Sequence, residues 1–128
     1  MFLMLFASGC KAGRNGEYES KSIEFFKGSE GIILDCMVKG RSVLVPAEPL
    51  LDFYGIRYEV CSRCGNLCVY LEDGSGDIIL IEWNSPYVDY QNREGRITLK
   101  ENNVYKDGFT YCSRALLEKI ITAQPLSD

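Results

Sequence analysis

A device used twice constrains this chain more than any other feature. Lys39-Gly40-Arg41-Ser42-Val43-Leu44-Val45-Pro46 is a turn, a short run of strand formers and a proline that opens a helical stretch. Lys106-Asp107-Gly108-Phe109-Thr110-Tyr111-Cys112-Ser113 echoes it, again leading into a helix. Each helix carries two adjacent leucines, Leu50-Leu51 in the first and Leu116-Leu117 in the second. The copies are too weak and too widely spaced for a solenoid. They do commit the chain to strands that hand over directly to helices in two places.

Strand signals dominate from Gly31 onward. Gly31 to Val38 is rich in branched apolar residues, and Ser42 to Val45 is a second short run. Ile56 to Val60 alternates apolar and polar residues, as a half-buried strand does. Asn66 to Glu72 and Asp77 to Trp83 flank Asp73-Gly74-Ser75-Gly76, a tight hairpin signal. Asn84-Ser85-Pro86 breaks the run, and Tyr87 to Tyr90, Arg96 to Lys100 and Phe109 to Tyr111 follow as further strands. Pro46 suits the start of the first helix and Gly55 its end, while Ser113 suits the N-cap of the second. The class these signals predict is α+β: a twisted antiparallel β-sheet packed on one or two short α-helices. At 128 residues the chain suits one domain, read here as residues 31–123 with a tail at 124–128.

Composition removes several function classes. There is no histidine, which excludes Cys-His and Ser-His-Asp catalysis. Any metal site would have to use thiolates, carboxylates or carbonyls. Net charge is −4 and the 14 basic residues are scattered, whereas phosphate binding needs them clustered. Nucleic acid is therefore not the expected partner, and no cofactor is expected apart from zinc at the cysteines.

Residues 1–10, MFLMLFASGC, form a short apolar run, then small residues, then Cys10. A bacterial lipoprotein signal ends this way, and Cys10 is the expected lipidation site of a truncated signal. Against this, no Lys or Arg precedes Lys11 to make a basic leading region. Residues 11–30 are mostly small and charged, and read as a spacer with a lead-in strand around Ser22 to Phe26. The membrane is then met only through the lipid anchor.

Taken in order, Gly40-Arg41, Val45-Pro46, Leu50-Leu51 and Gly55, then Asp73-Gly74-Ser75-Gly76, then Gly108, Thr110, Tyr111 and Leu116-Leu117 resemble a known family. It is the copper amine oxidase N-terminal-like domain of bacterial surface proteins, matched over about residues 30–121. The second copy departs from the pattern, with Cys112-Ser113 where Val-Pro would stand. The resemblance implies an antiparallel sheet wrapped on one or two helices, on a secreted or anchored protein, without the oxidase's copper ligands or quinone. The matched residues are turn glycines, a helix-starting proline and core leucines, so no catalytic residue is carried over.

CSRCGNLC gathers Cys61, Cys64 and Cys68 around one turn. Cys61 and Cys64 can form a disulfide in an oxidising compartment, or remain thiols with Cys36, Cys68 and Cys112 packed as small hydrophobes. Alternatively the turn is a zinc knuckle, with Cys68 as a third ligand and Cys36 or Cys112 arriving from elsewhere. A redox role is weaker, because that motif belongs at a helix start. Trp83, Tyr87 and Tyr90 lie close in sequence and are the candidate binding surface, with core filling as the competing use.

The expected function is a non-catalytic binding or stalk module at the cell surface, on an exported, lipid-anchored bacterial protein. Its partner would be a cell-envelope polymer or a surface protein. The alternative is a cytosolic interaction or regulatory domain stabilised by a Cys-thiolate zinc site.

Overall fold

Nine strands and two helices form the described part of the chain, which in this computed structural model is residues 17–126. Cys10, and with it the lipidation reading, lies outside the described residues. In chain order the elements are β1 (Glu19–Lys27), β2 (Glu30–Lys39), β3 (Ser42–Pro46), α1 (Ala47–Tyr54), β4 (Tyr58–Cys61) and β5 (Asn66–Tyr70). They continue with β6 (Ile78–Glu82), β7 (Ser85–Tyr90), β8 (Arg96–Lys106), β9 (Phe109–Ser113) and α2 (Arg114–Ile121). The strands make one sheet in the order β1-β2-β3-β9-β8-β7-β6-β5-β4, and every neighbouring pair is antiparallel. The α+β class expected from sequence is the class observed.

The topology explains the repeated device. After β3 the chain crosses through α1 to the far edge, then returns by hairpins until β9 docks against β3. Val45 pairs with Cys112, flanked by Leu44 with Ser113 and Pro46 with Tyr111. Both units begin alike, because two-residue turns are closed by Lys39 with Ser42 and by Lys106 with Phe109. In the second turn Asp107 (φ 53) and Gly108 (φ 84) both take the left-handed conformation that such a turn requires. The two sequence copies are thus spatial neighbours, running in opposite directions about Val45 and Cys112.

Each helix follows its strand without a connecting loop. Pro46 precedes α1, and Gly55 (φ 75) ends it by donating its N–H to the Asp52 carbonyl at 3.1 Å. Ser113 caps α2, its Oγ accepting the Leu116 N–H at 3.3 Å. Leu50, Leu51, Leu116, Leu117 and Ile120 bury the facing sides of both helices. Leu67, Val69, Ile79, Ile81 and Val88 answer them from β5, β6 and β7. Each such side chain contributes roughly 1.5–3 kcal/mol of burial, so the shared core decides the arrangement.

The structure corrects the sequence reading in four places. The segment 11–30, read as a spacer with a lead-in strand around Ser22 to Phe26, carries that strand as the longer β1, which pairs with β2 from Glu19 opposite Val38 to Lys27 opposite Glu30. The domain therefore starts before residue 31, because Ile23 and Phe25 add apolar surface to the core. β8 runs on past Lys100 to Lys106, for its first half pairs with β7 and its last residues pair with β9. Pro86 lies within β7 rather than ending a strand, accommodated by an irregularity between Ser85 and Tyr87. The buried Asn103 fastens that irregularity, its Nδ2 donating to the carbonyls of Glu82 (3.1 Å) and Tyr87 (3.3 Å). Finally, Leu126 in the presumed tail packs against the core.

Candidate functional site

One end of the sheet collects most of the chemistry noted in the sequence. The β4–β5 turn, which carries CSRCGNLC, meets the β6–β7 turn at Trp83 and Asn84. Trp83 donates its backbone N–H to the Gly65 carbonyl at 2.9 Å, tying the two turns together. Asn84 takes the left-handed conformation (φ 58) that lets so short a turn reverse the chain.

The Trp83 ring lies stacked on Tyr105, with centroids 3.8 Å apart and planes at 22°. Its indole Nε1 donates to Thr110 Oγ1 at 2.9 Å. Thr110 in turn donates both its N–H and its Oγ1 hydrogen to the Glu48 carboxylate, each at 2.7 Å. Glu48 sits in the first turn of α1 and is 6% exposed, so its carboxyl oxygens are satisfied by these bonds rather than by water. The chain of contacts fixes the aromatic pair from behind. Tyr105 keeps 37% of its surface exposed at the rim.

The three aromatics expected to share a surface do not. Tyr87 faces away from the helices, beneath the Arg96 guanidinium at 4.2 Å, and Arg96 is held by Asp89 at 2.8 Å. Tyr90 packs against the core from the helix side, with Arg93 above it at 4.0 Å. An offset of three along a strand places two residues on opposite faces, which is why sequence proximity misled. Trp83 finds its partner in Tyr105 instead. Tyr105 was missed because it lies beyond Lys100, where no strand was expected. The readable signal is the Asp107-Gly108 turn, whose register sets Tyr105 opposite Thr110.

Cys61 and Cys64 are joined in a disulfide across the turn, with Cα atoms 5.2 Å apart. The Cys64 N–H also points at the Cys61 sulfur at 3.1 Å. Cys68 is a thiol on β5, half-buried, donating weakly to Asn66 Oδ1 at 3.5 Å. With two sulfurs bonded to each other, a thiolate-zinc site would need the reduced chain. Among the described residues no group of three or more cysteine, aspartate or glutamate side chains is arranged to hold a metal ion.

Cys36 and Cys112 are thiols buried in the core at 1% and 0% exposure. Burial pushes the Cys36 thiol up to about 11, opposed by Arg114 and aided by Asp35. It raises Cys112 as well, with Glu48 adding to the effect. Cys68 is raised by burial and then by Glu59. None of the three is made more nucleophilic by its surroundings. No known family, curated protein or solved structure matches the chain.

Proposed function

We propose that this chain is a non-catalytic binding or stalk module of an exported, lipid-anchored cell-surface protein, contacting a cell-envelope polymer or surface protein through Trp83 and Tyr105. The observation that carries the reading is the stacked Trp83–Tyr105 pair, locked from behind through Thr110 and Glu48. A flat aromatic surface held in one rotamer gives contact area with little further loss of side-chain freedom, which suits sugar or protein recognition. The exposed Cys61–Cys64 disulfide beside it favours an oxidising compartment over the cytosol. The ordered resemblance to the copper amine oxidase N-terminal-like domain supports the same address.

The test is co-sedimentation of the intact protein with purified cell-wall material, alongside Tyr105→Ala and Trp83→Ala. Loss of binding in Tyr105→Ala, with an unchanged unfolding midpoint, is the expected result. Binding that survives both substitutions would assign the pair to packing alone and sink the proposed contact surface. Recovery of the native protein from the cytosol, with Cys61 and Cys64 reduced, would sink the proposed address.

A further inference from the structure

The two edges of the sheet differ. β4 is a short edge of four residues, closed by the disulfide hairpin. β1 is a nine-residue edge with neither proline nor bulge, paired among the described residues only with β2. Lys27 and Glu30 close a two-residue hairpin, so the odd-numbered residues of β1 bond to β2. The N–H and C=O groups of Ser20, Ser22, Glu24 and Phe26 therefore point away from the sheet. The Tyr54 hydroxyl agrees with this parity, since it donates to the Phe26 carbonyl. Such an edge is a template for another strand.

We infer that the β1 edge pairs with the β1 edge of a second copy of this chain, antiparallel about a two-fold axis at Ile23. The argument is the strand's complementarity to its own image. With Ile23 opposite Ile23, Glu19 of each copy meets Lys27 of the other, giving two cross-strand ion pairs, and Lys21 falls opposite Phe25, whose buried ring the Arg114 guanidinium already covers at 5.3 Å. Shifting by two residues in one direction sets Lys21 against Lys27 and Glu24 against Glu24, which is repulsive. Shifting by two in the other direction matches no opposite charges within Glu19–Lys27, because Lys27 then falls opposite Glu17, outside the strand. A symmetric pair must place the same faces together, so one-residue shifts are excluded. One register is thus favoured by charge.

The same register partly covers exposed apolar surface. Phe26 (60% exposed) and Ile33 (65% exposed) lie on the face of the β1–β2 hairpin remote from the helices. Pairing brings Ser20 of the second copy, and Met37 behind it, alongside Phe26. The groups that bond across the axis come from Ser20, Ser22, Glu24 and Phe26, which β2 leaves unused. The Phe26 carbonyl has a second lone pair beyond the one that Tyr54 takes.

Sedimentation equilibrium of the intact protein tests the pairing, and a dimer is expected. Ser22→Pro removes an outward N–H at the centre of the edge without touching a backbone bond to β2; Ser22→Ala, which deletes only the hydroxyl bond to Asp35 (2.8 Å), is its control, and the proline variant alone should give monomer with an unchanged circular dichroism spectrum. Glu19→Lys and Lys27→Glu should each weaken the dimer about tenfold at low salt, and the two together should restore it. Ile23→Cys should cross-link to itself when treated with oxidised glutathione, because the axis places the two side chains side by side. If Ser22→Pro fails to fold, the charge-exchange pair decides. A wild-type monomer at every concentration overturns the inference. So does a dimer that the double charge exchange fails to restore.

Discussion

Val45 and Cys112 face each other across the seam between β3 and β9, both with 0% exposure. They are the corresponding residues of the two strand-to-helix units, so the internal repeat meets at its own centre. Each helix then packs against the strand that leads into it and against the other unit. This is why the chain must return from its far edge before either unit can bury its apolar side.

The seam is also held by a polar contact, and removing it should be costly. Thr110→Val keeps the shape but deletes the hydroxyl that donates to Glu48 and accepts from Trp83. The buried carboxylate is left with the backbone N–H alone, which is expected to cost about 2–3 kcal/mol. Glu48→Gln retains an acceptor for that N–H and should cost about half as much. Urea unfolding of both variants gives the order, and equal small losses would show the contact to be incidental.

Reducing the Cys61–Cys64 disulfide should loosen one hairpin and leave the core in place. A loop this short restricts the unfolded chain little, so the loss is about 2 kcal/mol at most. Hydrogen exchange should speed up in β4 and the turn after it, while Leu67, Ile79 and Val88 stay protected. Cooperative loss of the whole sheet on reduction would contradict this.

Thiol labelling should separate the remaining cysteines by burial. In a Cys10→Ser chain without reductant, Cys68 should react first, and Cys36 and Cys112 only after unfolding. Cys36 also predicts alkaline sensitivity. Its thiol is raised from the ordinary 9.0 to about 11 by burial, so the folded state holds this proton more tightly than the unfolded state does. Its contribution to stability is complete below pH 9.0 and is lost as the pH rises through about 11. Unfolding midpoints measured across that range should fall less steeply for Cys36→Ala.

An acid limb is expected from Glu101. Tyr18, Lys39 and Ser42 bond its carboxylate at 2.8, 3.0 and 3.2 Å. The Tyr18 hydroxyl, then Lys39, hold the carboxyl below its ordinary 4.5. A depressed carboxylate stabilises the fold above that value and stops doing so as the pH falls through its folded pKa. Glu101→Gln should therefore lower stability at neutral pH and flatten the decline below about pH 5. Wild type and variant falling in parallel would remove Glu101 from the account.

How much was legible depends on which interactions decide each element. Pro46, Gly55 and Ser113 act within a few residues of themselves, and both helices lie where those residues predicted them. Residues 101–106 gave no strand signal because Glu101 and Asn103 are polar. They are strand because Glu101 binds Lys39 and Ser42 and Asn103 fastens β7, partners far away in the chain. β1 was underestimated for a similar reason: five of its nine residues are charged or serine before its apolar pair Phe25-Phe26, and pairing with β2 defines it. At the candidate site, Trp83 was visible as a residue type, but its partner Tyr105 was not.

The amino-acid sequence settled the repeated turn-strand-helix unit, the α+β class and the absence of histidine chemistry, since these rest on local preference and residue type. Tertiary structure decided that the two units meet at Val45 and Cys112, that β1 joins the sheet, and that Trp83 stacks on Tyr105 while Tyr87 and Tyr90 turn to opposite faces. Those outcomes depend on which strands become neighbours. Burial across the whole core sets that choice, and no single stretch of the chain contains it.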